Sequence, residues 1–101
     1  MRLEKIDTIA DGLCPPFVGE LNLAVVQRAV EEVVTVSDEE IGAAMALLLE
    51  RCKLLVEPAG AAALAALLHG RIPVRPGDRV AVVLSGGNVD LARLPDLLPS
   101  R

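Results

Sequence analysis

The stretch "VAVVLSGGNVD", residues 80–90, drives five apolar residues straight into Ser85, Gly86, Gly87 and Asn88. Glycines let a backbone turn sharply or approach a flat ligand closely, and serine or asparagine can hydrogen-bond either a ligand or the loop itself. Taken alone, S-G-G-N reads first as a structural turn. It lacks the glycine spacing and the Lys-Ser/Thr ending of a phosphate loop. A serine nucleophile would need a base, and His69 is the sole histidine. Glu57 stands before Pro58, where a carboxylate is stabilised by a helix N-terminus; a carboxylate facing a bound ligand is the alternative. Lys5 and Lys53 are the only lysines. Lys53 adjoins two leucines and reads as a side chain laid along an apolar surface rather than as a covalent nucleophile. Cys14 and Cys52 form no C-x-x-C pair, so free thiols in a reducing cytoplasm are expected. Without a Cys/His cluster, no metal site is expected.

These residues need elements to hold them. Residues 1–9 read as extended, with Ile6 and Ile9 towards a core, and residues 10–20 as a Gly/Pro-rich loop. Leu21, Val25, Val26, Ala29 and Val30 follow a helical stripe over 21–31. "EVVTV" (32–36) is short and β-branched, which predicts a buried strand. Ser37 followed three residues later by Glu40 predicts a capping box, with Asp38 and Glu39 also favourable at the positive helix end. Ile41, Ala44, Met45, Leu48 and Cys52 are the predicted inner face of that helix. Pro58 suits the start of the next helix and Gly70 its end. Nearly everything between is Ala or Leu, so packing on several sides is expected. His69, in the last turn, is expected to make a helix-end contact. Residues 71–78 read as a turn, and "RVAVVL" (79–84) as a central strand by its lack of alternation. "LARLPDLLP" predicts a short helical turn interrupted by Pro95. The order β-α-β-α-α-β-α predicts an α/β arrangement with a partial, mainly parallel sheet and packed helices. Ligands of such sheets collect beyond the carboxyl ends of the strands, and S-G-G-N lies at such an end.

The chain has 101 residues, enough for one domain or part of one, and residues 1–101 are read as a single domain. Hydrophobic residues make up 52%, and the mean hydropathy of +0.49 is high for so small a body. Some apolar surface is therefore expected to face a partner, another domain or another copy. The net charge is −4, no basic run occurs, and Phe17 is the one aromatic residue. Nucleic-acid binding is thereby excluded, since it needs phosphate-neutralising cations and, for single strands, stacking rings. The apolar run Ala61–Leu68 is far too short to span a bilayer, and the N-terminus lacks a signal-peptide core. A cytoplasmic protein with no membrane partner is expected.

The combination of segments is more specific than any one of them. "TIADGL" (8–13), "VVTVSDEEI" (33–41), "LLVEPAGAAALAALL" (54–68) and "VAVVLSGGNVD" (80–90), in this order, resemble the C-terminal part of the serine/threonine dehydratases. That family, of the fold type II pyridoxal-phosphate enzymes, includes threonine ammonia-lyase and serine racemase. The similarity covers nearly the whole chain, with residues 1–7 and 92–101 least informative. It implies a fragment of the fold type II large domain, with pyridoxal 5'-phosphate as cofactor of the complete enzyme. The implied role of Ser85 is a hydroxyl meeting the pyridine nitrogen, which shares a hydrogen bond without holding the ring protonated as an Asp would. Gly86 and Gly87 would let the loop pass close to the ring edge, and Asn88 would fix the turn. Gly12 matches a family loop position near cofactor and substrate, and Glu57 the family glutamate in the "EPAG" segment. The family's catalytic lysine, in a Ser-x-Lys motif, has no counterpart, nor do its glycine-rich phosphate loop and carboxylate-lined cation site. No catalytic residue is therefore assigned in this chain. By resemblance, the complete enzyme converts L-threonine or L-serine to a 2-oxo acid and ammonia. This portion alone is expected to be inactive and to bind no cofactor. The alternative is a non-catalytic binding or oligomerisation module derived from that fold. Expected partners are a second copy, as a dimer, or a complementing N-terminal segment.

Overall fold

Ser37 sets the register of the central helix. In the computed structural model, which describes residues 7–13, 15 and 18–99, the Glu40 N–H donates to Ser37 Oγ at 3.1 Å. The Ser37 N–H in turn donates to Glu40 Oε1 at 2.8 Å. Two otherwise orphaned backbone donors are satisfied reciprocally, which is the predicted capping box. The helix it opens, α2, spans Asp38–Leu47 and continues as a π turn over Leu48–Cys52. An earlier helix, α1, spans Glu20–Ala29, and α3 spans Pro58–Leu68 with Pro58 in its first turn. Past α3, Gly70 takes a φ of +68°. A 3-10 turn over Leu91–Arg93 leads into the short α4, Leu94–Leu97. Pro95 sits in the first turn of α4, where it costs no hydrogen bond, so it starts that turn rather than interrupting it.

α2 and α3 make the main contact between elements. Glu40 at the start of α2 grips Arg71 beyond the end of α3 with two hydrogen bonds, at 3.0 and 2.9 Å, so the two helices run antiparallel. The core between them holds Ile41, Ala44, Met45 and Leu48 from α2 and Ala61 and Ala65 from α3. Ala10, Val56 and Leu97 close it. Alanines let the helix axes approach closely, but they bury little area each, so this core is thin. Four of the five predicted inner residues of α2 are buried; Cys52 is exposed, because the π turn rotates it off the inner stripe. Ile9 packs against the core as expected, whereas Ile6 and Phe17 lie outside the described residues.

The predicted parallel sheet is not seen among the described residues. Among the described residues no β-ladder occurs, and 32–36 and 79–84 carry no regular structure. Val33 and Val83 are each 75% exposed, and only the last residues of the two segments, Val36 and Leu84, pack against the core. β-Branched side chains favour extended backbone, but a strand exists only when a neighbour takes its N–H and C=O groups. The two segments do not serve each other. α1 likewise buries none of its residues, with Leu21 76% exposed. The molecule is a flat slab of 41 × 40 × 19 Å whose radius of gyration, 14.7 Å, exceeds the roughly 13 Å of a compact chain this long.

Candidate functional site

The loop after residues 79–84 lies across the first turn of α3. Glu57 is the N-cap of α3, in extended conformation, and its side chain makes no capping bond to its own helix. Its N–H instead donates to the Gly86 carbonyl at 3.1 Å. Gly86 has a φ of +114°, a conformation that side-chain-bearing residues avoid. A Cβ built there would stand 2.5 Å from Glu57 Oε1, so the Glu57 carboxylate is folded against the loop backbone. At Gly87 a Cβ would stand 2.5 Å from the Leu55 carbonyl oxygen, and at Gly60 one would stand 3.0 Å from the Gly86 carbonyl oxygen. Loop and helix start thus meet closely, backbone against backbone at Gly87 and Gly60, with the Glu57 carboxylate and the Val56 side chain packed into the same contact.

A third segment completes the arrangement. The 3-10 turn Asp11–Leu13 brings Gly12 onto α3, where a Cβ would stand 2.9 Å from the Ala59 Cβ. Thr8 Oγ1 donates to Asp38 Oδ1 at 2.6 Å, tying this segment to the start of α2. Arg93 Nη1 donates to Asp11 Oδ2 at 3.4 Å, tying it to the turn that follows the S-G-G-N loop. Ser85, Gly86, Gly87, Glu57 and Gly12, remote in sequence, are therefore grouped around one helix N-terminus. Ser85 is exposed, and no hydrogen bond joins its hydroxyl to another described residue. Asn88 is exposed as well, and the turn is closed instead by the Val89 N–H donating to the Gly87 carbonyl at 2.9 Å.

The other chemistry-bearing residues stand apart. His69 Nδ1 lies 2.9 Å from the Ala65 carbonyl, the expected helix-end contact. It sits one length of α3 from Glu57, roughly 18 Å, and so cannot act as a base for Ser85. Lys53 is exposed, in left-handed conformation at φ +58°, and donates to the Glu50 carbonyl at 2.6 Å. Lys5 and Cys14 lie outside the described residues, and no metal-binding cluster of three or more His, Cys, Asp or Glu occurs among those described. A hollow of about 680 Å³, an open groove between Glu31–Glu32 and residues 72–81, contains none of the grouped residues. The pairs Thr8–Asp38 and Asp11–Arg93 had no signal in the sequence, because partners 30 and 82 residues apart share no local pattern.

A ledge with an unengaged hydroxyl, side-chain-free backbone and one carboxylate suits the edge of a flat polar ring. The family model for pyridoxal-phosphate dependent enzymes matches residues 1–86. The chain is 42% identical over 90 residues to the L-threonine ammonia-lyase of Thermotoga maritima, covering 89% of this chain and 22% of that protein. It is 38% identical over 95 residues to the serine racemase of Dictyostelium discoideum, covering 93% and 29%. Among solved structures, the T.th. threonine deaminase superimposes with a TM-score of 0.80 at 39% identity, over 90% of this chain and 33% of the other. Maize serine racemase gives a TM-score of 0.79 at 37% identity, over 95% and 31%. The chain thus spans a fifth to a third of the relatives it matches, and its layout is a fragment of their fold. Over the length that it covers, the chain belongs to the pyridoxal-phosphate dependent enzymes.

Proposed function

We propose that residues 1–101 are the C-terminal portion of a pyridoxal-phosphate-dependent ammonia-lyase acting on L-threonine or L-serine, and that the α3 ledge seats the ring edge of the cofactor. The observation that carries this is the grouping of Ser85, Gly86, Gly87, Glu57 and Gly12 around the first turn of α3. The residues fit the group. A Cβ at Gly86 or Gly87 would run into the Glu57 carboxylate or the Leu55 carbonyl, so the glycines let the loop lie flat against the start of α3, and the Ser85 hydroxyl beside them has no protein partner among the described residues. When bound, pyridoxal phosphate supplies an electron sink for bonds at the substrate α-carbon. Ser85 offers the ring nitrogen a neutral hydrogen bond, Gly86 and Gly87 admit the ring edge, and Asn88 lies beside them on the loop. Glu57 contributes negative charge at the loop backbone, and Gly12 shapes the adjoining wall. None of these side chains forms a covalent bond; the lysine and phosphate loop of the family belong to segments without counterpart here.

The same reading places the protein in the cytoplasm. Among the described residues no helix is long and apolar enough to cross a membrane. It also gives the exposed faces of α1 and residues 79–84 a partner, either a complementing N-terminal segment or a second copy. A non-catalytic oligomerisation module is the second reading, favoured only by that exposed apolar surface.

The test is a chimaera in which this chain replaces the matching segment of the Thermotoga maritima L-threonine ammonia-lyase. The chimaera is expected to bind cofactor and release 2-oxo acid. Ser85→Ala should slow release and shift the cofactor absorbance, since an unmatched buried polar atom costs about 1–3 kcal/mol. Ser85→Asp should shift the absorbance the other way by favouring a protonated ring. A folded, cofactor-loaded chimaera indifferent to both changes would remove Ser85 from the site.

A further inference from the structure

Between Arg79 and Ser85 the chain reads Val, Ala, Val, Val and Leu, an uncharged run rich in β-branched side chains. No backbone N–H or carbonyl of residues 79–84 has a hydrogen-bond partner among the described residues. Exposure alternates along the second half of the run. Val82 and Leu84 are half-buried, with Leu84 against the core, whereas Ala81 and Val83 are open to water. That period of two marks an extended chain with one side on the body of the molecule and the other in solvent. An unpaired, uncharged edge of this kind is a template for a second extended chain.

Surface area gives the size of the missing neighbour. The chain exposes 7850 Å², where a compact chain of 10.6 kDa exposes roughly 5,500 Å². The excess, roughly 2,400 Å², is of the order that one subunit gives up in a large obligate dimer interface. We infer that residues 79–84 are a dimer edge, and that two copies pair this edge antiparallel about a two-fold axis at Val82. Symmetry narrows the register. Facing residues of an antiparallel pair point to the same side of the sheet, so with the axis normal to the sheet one residue must face its own copy. Ala81 on the axis would set Asp78 against Leu84. Val83 on the axis would set Val80 against Gly86, whose carbonyl already takes the Glu57 N–H. Val82 on the axis sets Val80 against Leu84, Ala81 against Val83 and Val82 against itself, every pair apolar. A second copy is therefore a complement at each position. The paired residues end before the S-G-G-N loop, so the pairing stands apart from the cofactor reading above.

The experiment uses the full chain with Cys14→Ser and Cys52→Ser, into which single cysteines are placed. A disulfide needs Cα atoms within about 7 Å of each other. Val82→Cys is expected to crosslink to its own copy under mild oxidation. Ala81→Cys and Val83→Cys, each set diagonally across the axis from itself, should crosslink poorly alone and readily when mixed. Val83→Lys places a charge at an exposed position of the same edge. It should raise the dimer dissociation constant about tenfold by sedimentation, because two apolar cross-strand pairs are lost per dimer. Helix content by circular dichroism should stay unchanged. Equal crosslinking from all three single positions, or a dimer indifferent to Val83→Lys, overturns the pairing. A parent chain that remains monomeric overturns it too, and leaves the edge to an upstream segment.

Discussion

Gly86 joins conformation to contact more tightly than any other residue of the ledge. Its φ of +114° excludes ordinary side chains, and its absent Cβ leaves the space the Glu57 carboxylate tip occupies. Two costs of Gly86→Ala can therefore be separated. The backbone cost, about 1–2 kcal/mol for forcing an L-residue into left-handed space, cannot be relieved by a neighbour. The contact cost can, because the Glu57 tip ends a flexible side chain. Gly86→Ala is expected to lower stability by about 1–2 kcal/mol in urea unfolding, with little recovered when Glu57→Ala is added. Full recovery in the double variant would show that the carboxylate, not the backbone, sets the limit. The need for glycine at this turn was legible in "LSGGN" because a turn is a local event. That Glu57 would be its neighbour was not, since the approach depends on how α3 enters 29 residues earlier.

At the scale of elements, α2 was legible to its first residue, and the strands were not. Ser37 and Glu40 satisfy each other within one turn, so nothing distant is needed to form the cap. Residues 32–36 and 79–84 have strand-like composition but depend on neighbours that their own sequence does not contain. Ser37→Ala is expected to cost about 1 kcal/mol in thermal or denaturant unfolding, the usual worth of an N-cap side chain. Glu40 adds a pH dependence. The Ser37 N–H, followed by the Arg71 guanidinium, holds its carboxyl below the ordinary 4.5, against a smaller opposing effect of burial. A depressed acid stabilises the fold above its unfolded pKa and loses that stabilisation as pH falls through the lower folded value. Glu40→Gln should therefore be less stable than the parent at neutral pH, with the difference closing as pH falls below the ordinary carboxylate value of 4.5. A difference constant across that fall would mean that the Arg71 and Ser37 contacts act through geometry rather than charge.

The whole molecule is a thin slab with a small alanine-rich core and much exposed apolar surface, including α1 and Val83. Such a surface favours association, and copies can cover one another as a symmetric dimer. Light scattering on the 101-residue chain is expected to show dimer at high concentration; monomer throughout would contradict it. The same slab sets the limit on chemistry. The ledge presents a hydroxyl, a carboxylate and bare backbone, but neither Lys5 nor Lys53 stands in a Ser-x-Lys motif, and Gly86–Gly87 is the sole adjacent glycine pair. Lys53 is turned to the Glu50 carbonyl, in a turn of its own. A single neutral hydrogen bond from Ser85 contributes about 1 kcal/mol, too little to retain a small cofactor at micromolar concentration. The chain alone is therefore expected to release no 2-oxo acid from L-serine or L-threonine, and to take up pyridoxal phosphate only as weak labelling spread over Lys5, Lys53 and the N-terminal amine. Borohydride reduction after incubation with cofactor, followed by peptide mapping and an oxo-acid assay, measures both. One stoichiometrically labelled lysine with steady oxo-acid release would make this chain an enzyme in its own right, and would move the covalent chemistry onto a residue that the ledge does not contain.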